Sequence, residues 1–188
     1  TAGRYHYDFT MAFDREVPLL PVFVWFYILA FPFWAVGYLL AARRGKDMFY
    51  RFVATDLTIH FICFICFILI PTTNIRPEIA GNTLSEKILA LVYSLDGGNS
   101  PSNLFPSIHC YVSWMCWKGV EGSEKVPKWY QRFSLVFAIL IIISTQVLKQ
   151  HYIVDAAAAL LLVEFFWRFY QKGQRHKWVV HVFAHKKK

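Results

Sequence analysis

The stretch that decides the fold reads FVATDLTIHFICFICFILI and covers residues 52–70. A bilayer has a hydrocarbon core about 30 Å thick, and a helix that crosses it needs roughly 20 mostly apolar residues. Apart from two cysteines, Asp56 and His60 are the only ionisable side chains in this stretch. The stretch therefore predicts a transmembrane helix.

The rest of the chain has the same apolar character. Of its 188 residues, 56% are hydrophobic, 19% are aromatic and only 17% are charged, which exceeds the apolar share of an ordinary soluble domain. Four further apolar runs approach the length of a membrane span, namely residues 18–42, 105–120, 133–148 and 152–170. No internal repeat and no linker divides the chain. We expect a single domain over residues 1–188, an all-α polytopic transmembrane bundle with five spans.

Lysine and arginine concentrate in alternate connections of this predicted bundle. They lie between the first two spans, between the third and the fourth, and after the fifth. Cytoplasmic loops of membrane proteins carry such an excess, so these segments and the C-terminus are predicted to be cytoplasmic. The long connection 71–104, the turn 149–151 and the N-terminus are then predicted to lie together on the outer side.

An outer N-terminus directly before a span favours one further transmembrane helix upstream of Thr1, which would make six in the native protein. The net charge of +8 is explained by the loop asymmetry and by attraction to anionic headgroups. The lipid bilayer, and not nucleic acid, is therefore the expected partner. The predicted location is a cytoplasmic (plasma) membrane of the bacterial type.

The four cysteines favour neither a redox pair nor a metal centre. Cys63 and Cys66 form a C-x-x-C pair inside an apolar run, whereas Cys110 and Cys116 lie in the third predicted span. No second cysteine pair and no histidine cluster at zinc spacing accompanies them. We interpret all four as small packing residues, and we predict no metal site and no cofactor.

Polar residues that a membrane domain ordinarily excludes gather on the predicted outer side. Arg76 lies in PTTNIRP, residues 71–77, between prolines that limit the movement of this loop. Its guanidinium group has paired donors suited to phosphate oxygens. Two interpretations of Arg76 are therefore open, a phosphate ligand and an arginine at headgroup level.

A second polar group, FPSIH at residues 105–109, opens the third predicted span. Pro106 suits the first turn of a helix, and the free N–H groups of that turn, together with the hydroxyl of Ser107, attract an anion. His109 would face the bound anion. A histidine has an unperturbed pKa near neutral pH, so it can donate a proton to a leaving oxygen if a neighbouring phosphate favours its charged form. Taken alone, His109 is equally well explained as an interfacial residue.

A third polar group, STQVLKQHYIVD at residues 144–155, joins the fourth and fifth predicted spans. If the chain is already helical at His151, then His151 and Asp155 share one helical face, and the carboxylate reaches the imidazole. A carboxylate that holds one ring nitrogen leaves the other nitrogen free to attack phosphorus. The alternative is that Asp155 only caps its helix or reaches towards the interface.

These segments resemble the signature of the type 2 phosphatidic acid phosphatase superfamily of membrane phosphatases and phosphotransferases. That signature consists of a lysine followed after six residues by Arg-Pro, then Pro-Ser-Gly-His, then Ser-Arg followed after five residues by His and four later by Asp. The matching residues occur here in the same order: Arg76, Pro77, Pro106, Ser107, His109, Ser144, His151 and Asp155. The resemblance covers residues 76–155 and implies a six-helix fold.

The resemblance also implies a metal-independent reaction of a lipid phosphate through a phosphohistidine. His151 would be the nucleophile, Asp155 would orient it, and His109 would protonate the leaving lipid alcohol. The side chains predicted to hold the phosphoryl oxygens are Arg76, Ser107 and Ser144.

Three positions depart from the signature. Leu69 stands where the lysine is expected, Ile108 where the glycine is expected, and Thr145 where the arginine is expected. Two phosphate-binding cations are therefore missing. Lys149 is predicted to supply one of them from a loop conformation, because a helical Lys149 would point away from His151. These departures resemble the inositol and sphingolipid phosphotransferase branch of the superfamily.

We expect hydrolysis of a lipid phosphomonoester or diphosphate at the outer membrane face. Transfer of a phospho-headgroup to an alcohol shares the first half of this reaction and is the first alternative. The second alternative is a membrane transporter or scaffold in which the polar residues line a pathway or pack between helices. Neither the lipid nor the oligomeric state follows from the sequence.

Overall fold

The computed structural model describes residues 5–98 and 101–184. In this part of the chain the regular structure is entirely helical, which confirms the predicted fold class. The helices are α1 (Ala12–Glu16), α2 (Val24–Ala42), α3 (Lys46–Leu69), α4 (Leu84–Leu95), α5 (Ile108–Val120), α6 (Lys128–Val147), α7 (Ile153–Gln171) and α8 (Lys177–Ala184). A short 3-10 turn, Pro21–Phe23, leads directly into α2.

Three helical segments are long and apolar enough to cross a membrane: Pro21–Ala42, Lys46–Leu69 and Lys128–Val147. They correspond to the first, second and fourth predicted spans. The 13 residues of α5 reach only about 20 Å at about 1.5 Å per residue, and α7 carries Glu164 and Arg168 in its interior. That α5 and α7 also cross the membrane stays a prediction.

Large apolar side chains cover the outside of these long helices. Each of the following is at least 38% exposed: Leu29, Phe31, Val36 and Leu39 on α2, Leu57, Phe61, Phe64 and Ile68 on α3, and Val136, Ile139 and Ile143 on α6. Soluble monomers rarely expose a continuous apolar surface of this size. The surface is typical of a protein whose solvent is lipid, so the chain is a membrane protein.

Helix α5 occupies the centre of the bundle. Nine of its 13 residues are buried, and it packs against α2, α3, α6 and α7. Its Tyr111, Met115 and Cys116 belong to one core cluster with Phe52 and Ile59 of α3. Because the first turn of α5 carries His109, this central packing also fixes the position of a predicted catalytic residue.

Two glycines allow α5 to lie unusually close to its neighbours. A Cβ atom at Gly37 of α2 would lie 2.6 Å from Cys116 Sγ, and one at Gly119 of α5 would lie 2.9 Å from Phe52 Cε2. Both distances are shorter than van der Waals contact, and Cys116 is buried. The packing role predicted for this cysteine is thus confirmed.

Polar side chains in the middle of the bundle are paired between helices. Asp56 of α3 accepts a hydrogen bond from the Tyr38 hydroxyl of α2 at 2.6 Å. Glu164 of α7 accepts one from Trp114 Nε1 at 2.9 Å and lies 3.0 Å from Lys118 Nζ, both on α5. Such partners remove most of the cost of burying polar groups in an apolar environment.

One end of the bundle is built around arginines. Arg44 donates to the carbonyl oxygen of Gly119 at 3.2 Å, and Arg51 donates to those of Tyr170 and Gln171 at 2.7 and 2.8 Å. These contacts satisfy carbonyl groups that helices α5 and α7 leave free at their C-termini. The predicted basic connections therefore lie together at one end.

The opposite end brings together the N-terminal segment, the long connection 70–107 and the turn after α6. The main-chain N–H of Tyr7 donates to Pro71 O at 2.8 Å, and the Tyr93 hydroxyl donates to Leu148 O at 2.6 Å. The predicted grouping of these segments is confirmed. Their position on the outer side of the membrane stays a prediction.

Replacing Gly37 by Val should destabilise the bundle by about 1–3 kcal/mol, because the added methyl groups collide with Cys116 and overpack the interface between α2 and α5. Thermal unfolding in detergent, followed by tryptophan fluorescence, measures this effect. Ala35→Val, on the exposed side of the same helix, serves as the matched control and should leave the unfolding midpoint unchanged. Equal midpoints for both variants would contradict the close packing.

Candidate active site

The first turn of α5 is capped by Ser107. The Ser107 hydroxyl accepts a hydrogen bond from the Cys110 N–H at 3.3 Å, and the helix begins at Ile108. Pro106 therefore precedes the cap, and the prediction that it lies in the first helical turn was wrong. Since the cap uses only the N–H of Cys110, the N–H groups of Ile108 and His109 are among those that a helix leaves free for an anion.

Helix α6 ends in a turn that fixes the main chain of His151. Lys149 adopts the left-handed conformation with φ of 53°. Gln150 N donates to Thr145 O at 2.9 Å, and Lys149 N donates to Gln146 O at 3.0 Å. These are the two hydrogen bonds of a Schellman motif. The N–H of His151 also donates to Thr145 O, at 3.1 Å.

His151 and Asp155 are in contact, although not in the way the sequence suggested. Helix α7 begins at Ile153, so His151 precedes it and the predicted shared helical face was wrong. His151 Nδ1 nevertheless lies 3.4 Å from Asp155 Oδ2, and the same oxygen accepts the Tyr152 N–H at 3.0 Å. Asp155 thus caps its helix and faces the imidazole at once. Catalytic contacts are often this long before substrate binds.

Three aromatic rings of α2 surround His109. Its imidazole stacks on Tyr27 with ring centroids 4.3 Å apart, and its centroid lies 5.1 Å from that of Trp34 and 6.0 Å from that of Phe31. These residues follow each other at intervals of four and three, which places them on one helical face. The packing holds the ring in place, and its Nε2 atom is buried without a hydrogen-bond partner.

The two histidines face each other across the starts of α5 and α7. Their ring centroids are 6.1 Å apart. Reacting atoms approach to about 3–3.5 Å before bond formation, so one phosphorus centre between the rings is within reach of both. The Ser107 N–H donates to Asp155 O at 3.3 Å, which ties the two helix starts together. The structure thus brings together His151, Asp155 and His109.

His109 and His151 line a cavity of about 360 Å³. One wall is aromatic and is formed by Tyr27, Phe31, Trp34 and Phe67. The other wall is mostly polar and contains Asp96, Ser102 and Asn103. A cavity with one apolar and one polar wall suits a ligand that joins an apolar chain to a charged group.

Arg76 lies behind the polar wall. Its side chain is fully buried and is absent from the cavity lining. Its Nη2 atom donates to Asp96 Oδ2 at 2.5 Å and to Gln150 Oε1, and the guanidinium lies 4.7 Å from the centroid of the Tyr93 ring. The predicted phosphate ligand is therefore close to the cavity but separated from it by Asp96.

A family model described as the PAP2 superfamily matches residues 6–168 of the chain. The chain belongs to the PAP2 superfamily. The matched segment contains every predicted site residue, and members of this superfamily are typically enzymes of phosphoryl transfer. The resemblance found in the sequence is thus confirmed at the level of the superfamily, whereas the phosphotransferase branch stays a prediction. None of the curated proteins and none of the solved structures compared with the chain matches it.

Two predicted phosphate ligands, Ser144 and Lys149, form hydrogen bonds with other groups of the protein. The Ser144 hydroxyl is buried and donates to Ile141 O at 2.6 Å. Lys149 Nζ donates to Asp14 O at 2.7 Å and to Val17 O. Burial lowers the pKa of Lys149, against the opposing attraction of Asp14. Although Lys149 lies in a loop as predicted, its ammonium group points to the N-terminal segment and is not brought to the cavity.

Sequence reasoning missed several residues at the site. Gln150 sits next to the predicted nucleophile, but only the Schellman turn directs its side chain to Arg76. Asp96 and Asn103 lie in a turn-rich stretch of the chain, which gave no signal of their direction. The aromatic residues of α2 had a detectable signal, since Tyr27 and Trp34 are seven residues apart and share a helical face.

Buried polar atoms without a hydrogen-bond partner concentrate at this end of the described chain. They are Asn74 Oδ1, Arg76 Nε, Asn103 Oδ1, His109 Nε2, Gln150 Nε2, His151 Nδ1 and Asp155 Oδ1. Among the other described residues, only Ser134 Oγ and His176 Nδ1 are buried without a hydrogen-bond partner. Unpartnered groups are costly in an apolar environment, and their concentration is typical of a site that a polar ligand completes.

No group of three or more His, Cys, Asp or Glu side chains in residues 5–98 and 101–184 is arranged to hold a metal ion. The metal-independent reaction stays a prediction that derives from the superfamily resemblance.

Replacing Lys149 by Met should lower the free energy of unfolding by about 1–2 kcal/mol, because two carbonyl groups of the N-terminal segment lose a charged donor. Turnover per folded molecule should change less than about threefold, because the ammonium group does not reach the cavity. Thermal unfolding and turnover of the purified variant, each compared with Lys125→Met at the far end of the bundle, measure both effects. A large loss of turnover with unchanged stability would instead make Lys149 a substrate ligand.

Proposed function

We propose that the chain is a membrane lipid phosphatase that hydrolyses a phosphomonoester or diphosphate through a phosphohistidine. The observation that carries this proposal is the pair of facing imidazoles, 6.1 Å apart, with the Asp155 carboxylate behind one of them. One ring has a carboxylate at Nδ1 and the other has none, and this difference supports different roles for the two rings. His151 is the nucleophile and His109 is the acid.

In the first step, the lone pair of His151 Nε2 attacks phosphorus and the bond from phosphorus to the lipid oxygen breaks. The leaving oxygen takes a proton from the His109 imidazolium, whose charged form is favoured by the negative charge of the bound phosphate. Asp155 fixes the proton of His151 on Nδ1 and stabilises the positive charge that develops on this ring. The products of this step are a phosphohistidine, a neutral His109 and a free lipid alcohol.

In the second step, water takes the place of the lipid alcohol. His109 accepts one proton of the water, the water oxygen bonds to phosphorus, and the bond from phosphorus to His151 Nε2 breaks. Inorganic phosphate leaves, and both histidines return to their starting protonation states. Each histidine thus acts twice, as the reversal of roles in general acid–base catalysis requires.

The phosphoryl oxygens are held mainly by the start of α5. The main-chain N–H groups of Ile108 and His109 and the helix dipole together provide donors and positive potential at one point. The predicted ligand Ser107 is fully buried and does not line the cavity, and its hydroxyl caps the helix behind these groups. Phosphoryl transfer depends largely on such positioning and charge stabilisation. Arg76 supplies a further positive charge from behind Asp96. Ser144 and Lys149 do not hold the phosphoryl oxygens directly. Ser144 binds within the end of α6, and Lys149 binds carbonyl groups of the N-terminal segment.

The surroundings of the cavity support a lipid substrate at the outer membrane face. Its aromatic wall includes Phe31, which is 56% exposed on the lipid-facing surface of α2, so an apolar chain has a direct path from the bilayer to the cavity. The cavity lies at the end opposite Arg44 and Arg51, and basic residues favour the cytoplasmic side.

Replacing His151 by Ala should reduce the release of phosphate from lipid phosphates by at least about a thousandfold, because the nucleophile is lost. Asp155→Asn should reduce it by at least about a hundredfold, since the imidazole loses the group that orients it. Phosphate release from a panel of lipid phosphates in detergent micelles, detected by the molybdate colour reaction, measures both effects.

His181→Ala at the far end of the bundle is the matched control and should retain wild-type turnover. Rapid quenching of the wild-type reaction with labelled lipid phosphate should trap acid-labile label on the protein, and His151→Ala should trap none. Undiminished turnover in His151→Ala would refute the assignment of the nucleophile and favour a non-enzymatic role.

Transfer to an alcohol remains a second candidate function because of one feature of the polar wall. Asn103 Oδ1 is buried and unpartnered beside the cavity, and it can accept a hydrogen bond from the hydroxyl of an acceptor alcohol. Incubation with a lipid carrying a labelled phosphate separates the two reactions. Hydrolysis of a labelled phosphomonoester gives labelled inorganic phosphate without added alcohol. Transfer of a phospho-headgroup from a labelled phosphodiester lipid requires an added alcohol and gives a new labelled phosphodiester.

A further inference from the structure

Nearly all donors of Arg76 are already bound to protein groups. A guanidinium group has five N–H donors. Nη1 donates to Asp96 O and Gly98 O at 3.0 and 3.1 Å, and Nη2 donates to Asp96 Oδ2 and Gln150 Oε1. Only the Nε donor is unpartnered. A phosphoryl group therefore forms two parallel hydrogen bonds with Arg76 only if it replaces one of these acceptors.

Asp96 is the one acceptor that can be replaced easily. Two of the others are main-chain carbonyl oxygens, and the Gln150 side chain is almost completely buried. The Asp96 side chain, in contrast, is 51% exposed. It also lines the cavity beside His109 and His151, whereas Arg76 does not. The carboxylate thus stands between the guanidinium and the place where the phosphoryl group reacts.

We propose that the Asp96 carboxylate is an internal competitor for Arg76, which a dianionic phosphomonoester displaces and a monoanionic phosphodiester does not. The proposal rests on the proposed function, since it concerns the binding of a phosphoryl group to the same cavity. It makes Asp96 a residue that controls access to Arg76, and it gives Arg76 its role as a phosphate ligand only after Asp96 has moved away.

The physical basis is the difference in charge between the competing anions. A phosphomonoester carries a charge of about −1.5 to −2 near neutral pH, so it gains more from the guanidinium than a carboxylate does. A phosphodiester carries a single negative charge, as the carboxylate does, and gains little from the exchange. The carboxylate has the further advantage that it is tethered, which gives it a high effective concentration.

Such competition has a clear use in a membrane. The common phospholipids of a bilayer are phosphodiesters, and an uncovered arginine beside the cavity would bind their headgroups. A carboxylate in this position keeps the guanidinium occupied until a group with a terminal phosphate arrives. The abundant diester lipids then gain no hydrogen bonds from Arg76.

The test compares the wild type with Asp96→Asn, which keeps the shape of the side chain and an oxygen acceptor for Arg76. Isothermal titration of the purified protein in detergent, at about pH 8, measures the dissociation constants of inorganic phosphate and of dimethyl phosphate. Removal of the competing carboxylate should strengthen phosphate binding by about tenfold or more, because phosphate no longer has to displace Asp96. Dimethyl phosphate binding should strengthen by less, because a monoanion gains less from Arg76. The preference for phosphate over dimethyl phosphate should therefore widen by at least about threefold.

Asp47→Asn is the matched control, because Asp47 pairs with Arg51 at 2.8 Å and is 68% exposed at the other end of the bundle. It should leave both dissociation constants unchanged. Asp96→Ala, which also removes the oxygen acceptor, should widen the preference as Asp96→Asn does. An unchanged or narrower preference, or weaker binding of both anions in the two Asp96 variants, would overturn the competitor role.

The anion affinities do not depend on turnover, so this proposal and the proposed function fail separately. An unchanged preference in an active enzyme overturns only the role of Asp96. Absence of lipid-phosphate turnover in the wild type overturns the proposed function, while a preference that widens in the Asp96 variants still supports the competition for Arg76.

Discussion

The need to give every buried polar group a partner governs this structure, because the bundle is surrounded by apolar side chains and offers little water. The arginine-rich end meets this requirement, since Arg44 and Arg51 bind the free carbonyl groups of neighbouring helices. The middle meets it through interhelical pairs such as that of Glu164 with Lys118. The opposite end leaves several polar atoms unpartnered, and this difference locates the site without reference to any motif.

The precision of the site depends on the helix at the centre. Close approach at Gly37 and Gly119 holds α5 against its neighbours, so that His109 at its start has little freedom. The ring is further held by stacking on Tyr27. His151 is fixed differently, through the main-chain hydrogen bonds that end α6. A rigid helix start and a rigid turn therefore set the distance between the two rings, which suits a reaction that depends on positioning.

The positive charge that a ligand meets at the site depends more on the partners of each cationic side chain than on the number of such side chains. The signature positions that usually supply a lysine and an arginine hold Leu69 and Thr145, and Lys149 binds carbonyl groups of the N-terminal segment. Arg76 remains near the cavity, and its partners Asp96 and Gln150 decide how much of its charge a ligand meets. In the proposed function, an anion is therefore attracted mainly by the helix start at Ser107 and secondarily by Arg76, whose charge Asp96 partly neutralises.

The sequence alone determined the helical class and the three longest spans, because apolar run length is a short-range property. The resemblance to the superfamily signature grouped His151, Asp155 and His109. Only the tertiary structure decided that His151 precedes its helix, that Lys149 points to the N-terminal segment and that Asp96 occupies Arg76. Each of these outcomes depends on a partner that lies between 20 and 135 residues away in the chain or on a left-handed turn at a residue other than glycine. No local pattern encodes such a partner, because it is selected by the packing of whole helices.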